Sequence, residues 1–140
     1  MKIQKIKRTN KTLEEFLKAE WNKADLKHFG QPVDWTRKEF HLKVTKNRKT
    51  VGYIKFSIEA GVCSIQEIIV AHDHQGQGIG RELMKEAEKI AKESKVHKIT
   101  LSTGQGWPSE KFYQSLGFKQ TGIIEKHSFK KDHVVYSKFI

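Results

Sequence analysis

The stretch from Ile65 to Ile90, IQEIIVAHDHQGQGIGRELMKEAEKI, limits what this chain can fold into more than any other part of it. Val62, Ile65, Ile68, Ile69 and Val70 form an apolar run rich in β-branched residues, suited to a strand inside a sheet. Gln75-Gly76-Gln77-Gly78-Ile79-Gly80 then sets glycine at every second position, where a backbone can turn sharply and expose amides. From Arg81 the period becomes helical. Leu83, Met84, Ala87, Ile90 and Ala91 share one face, and Glu82, Lys85, Glu88, Lys89 and Lys92 take the other. A strand feeding a glycine turn that opens a helix can bind an anion, because the first helical amides lack partners and the helix dipole favours negative charge there. The competing explanation is that the glycines only let strand and helix pack.

Spacing narrows the ligand. A mononucleotide P-loop needs Lys and then Ser or Thr after its last glycine, whereas Gly80 is followed by Arg81 and Glu82. A dinucleotide site needs G-x-G-x-x-G and an acid at the end of the next strand; Lys98–Ser102 ends without one. The order Gln75-x-x-Gly78-x-Gly80 is a Q/R-x-x-G-x-G/A signature, and through it the chain resembles the GNAT superfamily of acyl-CoA N-acyltransferases. Phe112-Tyr113-Gln114-Ser115-Leu116-Gly117-Phe118 is similar to that family's F-Y-x-x-L-G-F segment, in the expected order after the glycine loop. The likeness departs at Trp107 and Glu110, where the family often has Asn and Ala.

The resemblance implies a GNAT fold, an α/β (α+β) domain whose central mixed, mostly antiparallel sheet is flanked by helices on both faces. It also implies acetyl-CoA as co-substrate and a primary amine as acceptor, attacked directly in a ternary complex. Gln75, Gly76, Gln77, Gly78, Ile79, Gly80 and Arg81 would hold the pyrophosphate. The backbone of Ile68, Ile69 and Val70 would pair with the pantetheine arm, with an N–H there, such as that of Val70, facing the developing oxyanion. Tyr113 would return a proton to the departing thiolate, since a phenol near pKa 10 is protonated at neutral pH and a thiol titrates near 8.5. Its competing role is core packing between Phe112 and Phe118. Glu67 is the one acid on the cofactor strand and the candidate base; a solvent-facing strand carboxylate is the other reading. His72 and His74 flank Asp73 without a third ligand nearby, so no metal is expected.

At 140 residues the chain is expected to be one domain, residues 1–140. No signal-peptide core or membrane-length apolar run occurs, so the expected location is the cytoplasm, as a monomer or homodimer. Cys63 is the only cysteine, which excludes an intramolecular disulfide and a cysteine-cluster metal site. The 27 Lys+Arg against 16 Asp+Glu give +11, of which +8 falls in residues 1–60. Such charge attracts polyanions, but beyond it nothing indicates nucleic acid or a ribosome as partner. The alternative function is a non-catalytic module of the same fold that binds acyl-CoA or an anionic partner. In order, the chain reads as a strand over about 2–8 and then a helix opened by a Thr12–Glu15 capping box. A loop or short helix follows over 25–35, then strands around 40–44, 51–58 and 62–70 and the helix from Arg81. A strand at 98–102, a short helix at 109–116 ended by Gly117, and strands from Phe118 and at 134–140 complete it.

Overall fold

Ile3 and Ile6 lie three residues apart, so they would point to opposite faces of any strand. Residues 2–8 accordingly form no strand in the computed structural model, which describes all of residues 1–140, and both isoleucines are exposed. The chain divides into two compact units, Met1–Trp35 and Thr36–Ile140.

The first unit holds one helix, α1, over Lys11–Phe29. Its cap is Asn10 rather than Thr12: the Asn10 side chain accepts the Leu13 amide at 2.9 Å, and Thr12 lies within the helix. The periodicity that faded after Asp25 in the sequence continues for another turn, to Gly30 in the left-handed region. Asp25 is buried and accepts the Trp35 indole N–H at 3.1 Å, which ties the segment after the helix back onto it.

The second unit is a six-stranded sheet with two helices. Its elements are β1 (Lys38–Lys46), β2 (Lys49–Glu59), β3 (Val62–Val70), α2 (Ile79–Glu93), β4 (Lys98–Gly104), α3 (Ser109–Ser115), β5 (Lys119–Ile124) and β6 (His133–Phe139). The spatial order is β1-β2-β3-β4-β6-β5, and every pair is antiparallel except β3 with β4. That parallel pair is the one joined through a helix, as a same-direction crossover requires.

The apolar stripe read from the sequence seats α2. Ile79, Leu83, Met84, Ala87 and Ala91 are buried, each larger side chain contributing about 1.5–3 kcal/mol. Gly52 lets the helix approach, because a Cβ there would come within 2.7 Å of Ile79 Cγ2. Beneath lie Ile54 and Phe56, both fully buried, with Phe40 stacked on Phe56 at 5.0 Å. Both helices of this unit meet the same sheet face. Lys138 on β6 bonds Glu88 of α2, and Tyr136, two residues earlier on the same face, bonds Glu110 of α3.

Candidate functional site

The site begins where two strands part. β3 and β4 pair only at Val62↔Lys98, Cys63↔Ile99 and Ser64↔Thr100, although β3 runs on to Val70 and β4 to Gly104. Beyond Ser64 the β4 side of β3 is therefore an open backbone edge. The Ala71 amide bonds the Val51 carbonyl on the β2 side, so by alternation Val70 and Ile68 turn their N–H and C=O groups toward the gap. Gln75 confirms the direction, its Nε2 donating to the Val70 carbonyl at 3.3 Å.

A bulge sets which side chains follow. Lys55 pairs with Glu67 and Phe56 with Ile65, leaving Gln66 as the extra residue, its amide bonded to Ser57 at 2.6 Å. The bulge reverses the phase of the strand. Ile65 is buried before it; after it, Ile68 and Val70 take the helix face, while Glu67 and Ile69 point to the other.

Past β3 a single turn over His72–His74 delivers the chain to the glycine loop. Gly76 and Gly78 have φ of 78° and 83°, a region costly for any residue with a Cβ. Gly78 caps α2 without a side-chain partner, and the first helical bond is Glu82 N–H to the Gly78 carbonyl at 3.0 Å. The amides of Ile79, Gly80 and Arg81 are thus the unpaired donors of a helix N-terminus, aimed out of the fold. Arg81 adds a guanidinium braced by Ser115 Oγ at 3.1 Å.

These parts line one cavity of about 600 Å³. Ile68, Ile69, Val70, Gln75, Gly76, Gly78, Ile79, Gly80, Arg81 and Tyr113 all border it, so ten of the twelve residues singled out in the sequence come together. Glu67 and Gln77 do not. Glu67 lies on the far face in register with Lys55, and Gln77 accepts a hydrogen bond from Lys46 at 3.0 Å. The wall also includes His74, Pro108, Ser109 and Phe112, which sequence reasoning left out. Phe112 had a legible signal in its neighbour Tyr113; Ser109 had none, since it is fixed by Thr103 Oγ1 at 2.6 Å across the β4–α3 turn.

Tyr113 is 6% exposed and packs edge-on against Phe112 and Phe118, so it has the core-packing role considered for it, and it also borders the cavity. Burial raises its phenol above the ordinary value of 10, so it stays protonated at neutral pH. No protein group bonds its hydroxyl, in contrast to Tyr136, which donates to Glu110 at 2.6 Å. Burial pushes the Cys63 thiol up to about 11, so this cysteine is a packing residue and no nucleophile.

The two departures from the family pattern have structural roles. Glu110 accepts from the Gly106 amide at 2.5 Å and from the Tyr136 hydroxyl, contacts that hold its carboxyl below the ordinary 4.5. Trp107 lies over Gly104, whose missing Cβ makes room for the indole, and meets His133 edge-on at 5.8 Å.

The donor set and the gap fit an acyl-CoA: an extended arm can pair with the β3 edge, and a pyrophosphate with the free amides of α2. No helix is long and apolar enough to cross a membrane, and no group of three or more metal-ligating side chains is present.

Comparison with known proteins agrees. A model of the acetyltransferase (GNAT) domain matches residues 5–138, a span that takes in most of both units. An acetyltransferase from Bacillus cereus ATCC 14579 is similar over 98% of each chain, with 22% identity and a TM-score of 0.74. The ribosomal-protein-S18-alanine N-acetyltransferase from Escherichia coli is similar over 73% of this chain and 69% of its own, with 20% identity and a TM-score of 0.67. A protein of Bacillus anthracis str. Ames, solved in complex with acetyl coenzyme A, is similar over 73% and 62%, with 19% identity and a TM-score of 0.68. At these identities the structural likenesses speak for the fold.

Proposed function

Since the chain belongs to the GNAT acetyltransferase domain family, we propose that it transfers the acetyl group of acetyl-CoA to a primary amine, by direct attack while both substrates are bound. The observation that carries this reading is the meeting of three features in one cavity: the open β3 edge, the free amides of α2, and the unpaired Tyr113 hydroxyl.

In this reading the two units act as one acetyltransferase domain. The amides of Gly76 to Arg81, with the Arg81 guanidinium and Gln75, hold the pyrophosphate. Ile68 and Val70 pair their main chain with the pantetheine arm, and the Val70 N–H meets the negative charge that grows on the thioester oxygen. Tyr113 gives its proton to the sulfur as the C–S bond breaks and the C–N bond forms. The amine enters from the opposite face of the gap, where Ile69 and Glu67 stand. Before the C–N bond forms, Glu67 takes one proton from the entering ammonium, directly or through water, and frees the lone pair that attacks the thioester carbon. A neutral or acid-flanked amine, small or at the end of a peptide, is favoured over polycations, because one carboxylate on that strand can attract one ammonium and not several.

The test is release of free CoA with peptide, small-molecule and polyamine acceptors, alongside melting with acetyl-CoA. Coenzyme at 100 times its Kd adds about 2.7 kcal/mol to stability. Stabilisation without turnover on any amine would favour a module that binds acyl-CoA without catalysis. No stabilisation at all would reject the coenzyme site.

A further inference from the structure

We propose that the 104–110 loop and the 125–132 hairpin form a second site, which binds the acidic flank of a polypeptide acceptor. The proposal rests on the transfer reading above and specifies its acceptor.

Position comes first. Ser64 pairs with Thr100, so beyond the bulge Glu67 and Ile69 share a face with Thr100, Ser102 and Gly104. Gly104 pairs with His133, which alternates away from Val134 and Tyr136 on the helix face. Trp107, lying over Gly104 and against His133, therefore stands on the face from which the amine enters. Pro108 and Ser109, the next two residues, already line the coenzyme cavity. The two sites adjoin across this loop.

A cavity of about 400 Å³ lies here, lined by Gln105, Trp107, Lys130, Lys131 and Asp132. Neither lysine forms an ion pair within the protein. Asp132 is already engaged, its Oδ1 taking the Lys126 amide at 2.9 Å and its backbone carbonyl the Gln105 amide at 3.0 Å. The hairpin is held in a costly shape: Phe129 and Lys130 have φ of 54° and 63°, yet the His127 amide bonds the Lys131 carbonyl and the Lys131 amide the Ser128 carbonyl. Two unpaired cations are thus set on a fixed backbone beside an indole, and they outnumber the one carboxylate in the lining, that of Asp132.

The surroundings indicate a chain rather than a small ligand. Trp107 is 53% exposed and Phe129 97%, aromatic side chains of the kind that anchor polypeptide partners. Nearby, His133 Nδ1 is buried with no hydrogen-bond partner, the type of atom that a bound group can satisfy. Glu110, bonded to Gly106 and Tyr136, supports the loop that carries Trp107. The residues that break the family pattern are the ones that build this site.

The experiment compares a peptide amine followed by two glutamates with its two-glutamine counterpart, in the wild type and in a Lys130→Gln/Lys131→Gln variant. Acetyl-CoA melting checks that the variant folds. The wild type should prefer the acidic peptide by about tenfold in kcat/KM at low salt, carried by KM, the scale of two exposed charge contacts. High salt and the double substitution should each collapse that ratio. Equal use of the two peptides by wild type and variant would overturn the proposal. If neither peptide is acetylated, their binding is read from amide shifts at 104–107 and 126–132. Acidic-peptide binding that the variant loses would keep the site and reject transfer to peptides; absence of binding would overturn the site itself.

Discussion

The glycine loop and the 104–110 loop do similar mechanical work by opposite means. Each carries the chain out of a parallel strand into a helix that borders the same cavity, the proposed coenzyme site. The first uses almost no side chains: Gly76 and Gly78 adopt positive φ, and what they present is main-chain N–H. The second depends on side chains, with Glu110 clamped between Gly106 and Tyr136, and Trp107 laid over Gly104. A backbone-built site suits a ligand common to a whole family. A side-chain-built site can change from one chain to another, and in the proposed reaction it lies on the acceptor side.

The largest expected effect tests the backbone half of this contrast. Gly80 has ordinary helical φ, and a Cβ there would point between Phe112 and Val70 at 3.3 and 3.6 Å, into the cavity wall. Gly80→Asp should abolish measurable acetyl-CoA binding, a loss of at least ~100-fold, or about 3 kcal/mol, as a carboxylate opposes the phosphates. Gly80→Ala, which adds the crowding without the charge, should weaken binding by much less. Calorimetry decides; equal losses in the two variants would mean that shape and not charge governs the loop.

Next is Tyr113, a side chain in a wall otherwise rich in main chain. Tyr113→Phe keeps the rings packed on Phe112 and Phe118 and removes only the donor, so turnover should fall ~100-fold with coenzyme affinity held. Burial raises the phenol, so wild-type turnover should persist to a pH above its ordinary 10 before an alkaline limb begins. A variant as fast as wild type at neutral pH would leave Tyr113 with packing alone.

The smallest effect concerns the clamp. The folded pKa of Glu110 is depressed, by the Tyr136 hydroxyl first and the Gly106 amide second. Its contribution is therefore complete above the unfolded value and lost as pH falls through the folded one. The melting difference between wild type and Glu110→Gln should be level near neutral pH and shrink as pH drops below the ordinary 4.5. A difference that grew in acid would reverse the assignment.

The same contrast explains what could be read from the sequence. Alternate glycines after a β-branched run, and the 3.6-residue stripe from Leu83 to Ala91, are local patterns, and both became the expected elements. The F-Y-x-x-L-G-F segment placed Tyr113 for the same reason. Glu110 meets Tyr136 from 26 residues away, and Trp107 depends on a glycine and on a histidine of another strand, so no local period announces them. The bulge at Gln66 was equally hidden, though it decides that Glu67 faces away from the helices. Residues 2–8 misled in the other direction: two isoleucines set among lysines suggested a strand, but they share no face.

The most direct test of the account is titration of the labelled protein with acetyl-CoA, followed by amide chemical shifts. The account predicts the largest changes at Ile68, Val70 and Gly76 to Arg81, with the 126–132 hairpin nearly still. Coenzyme-induced shifts centred on Lys130 and Lys131, with the glycine-loop amides unmoved, would contradict it.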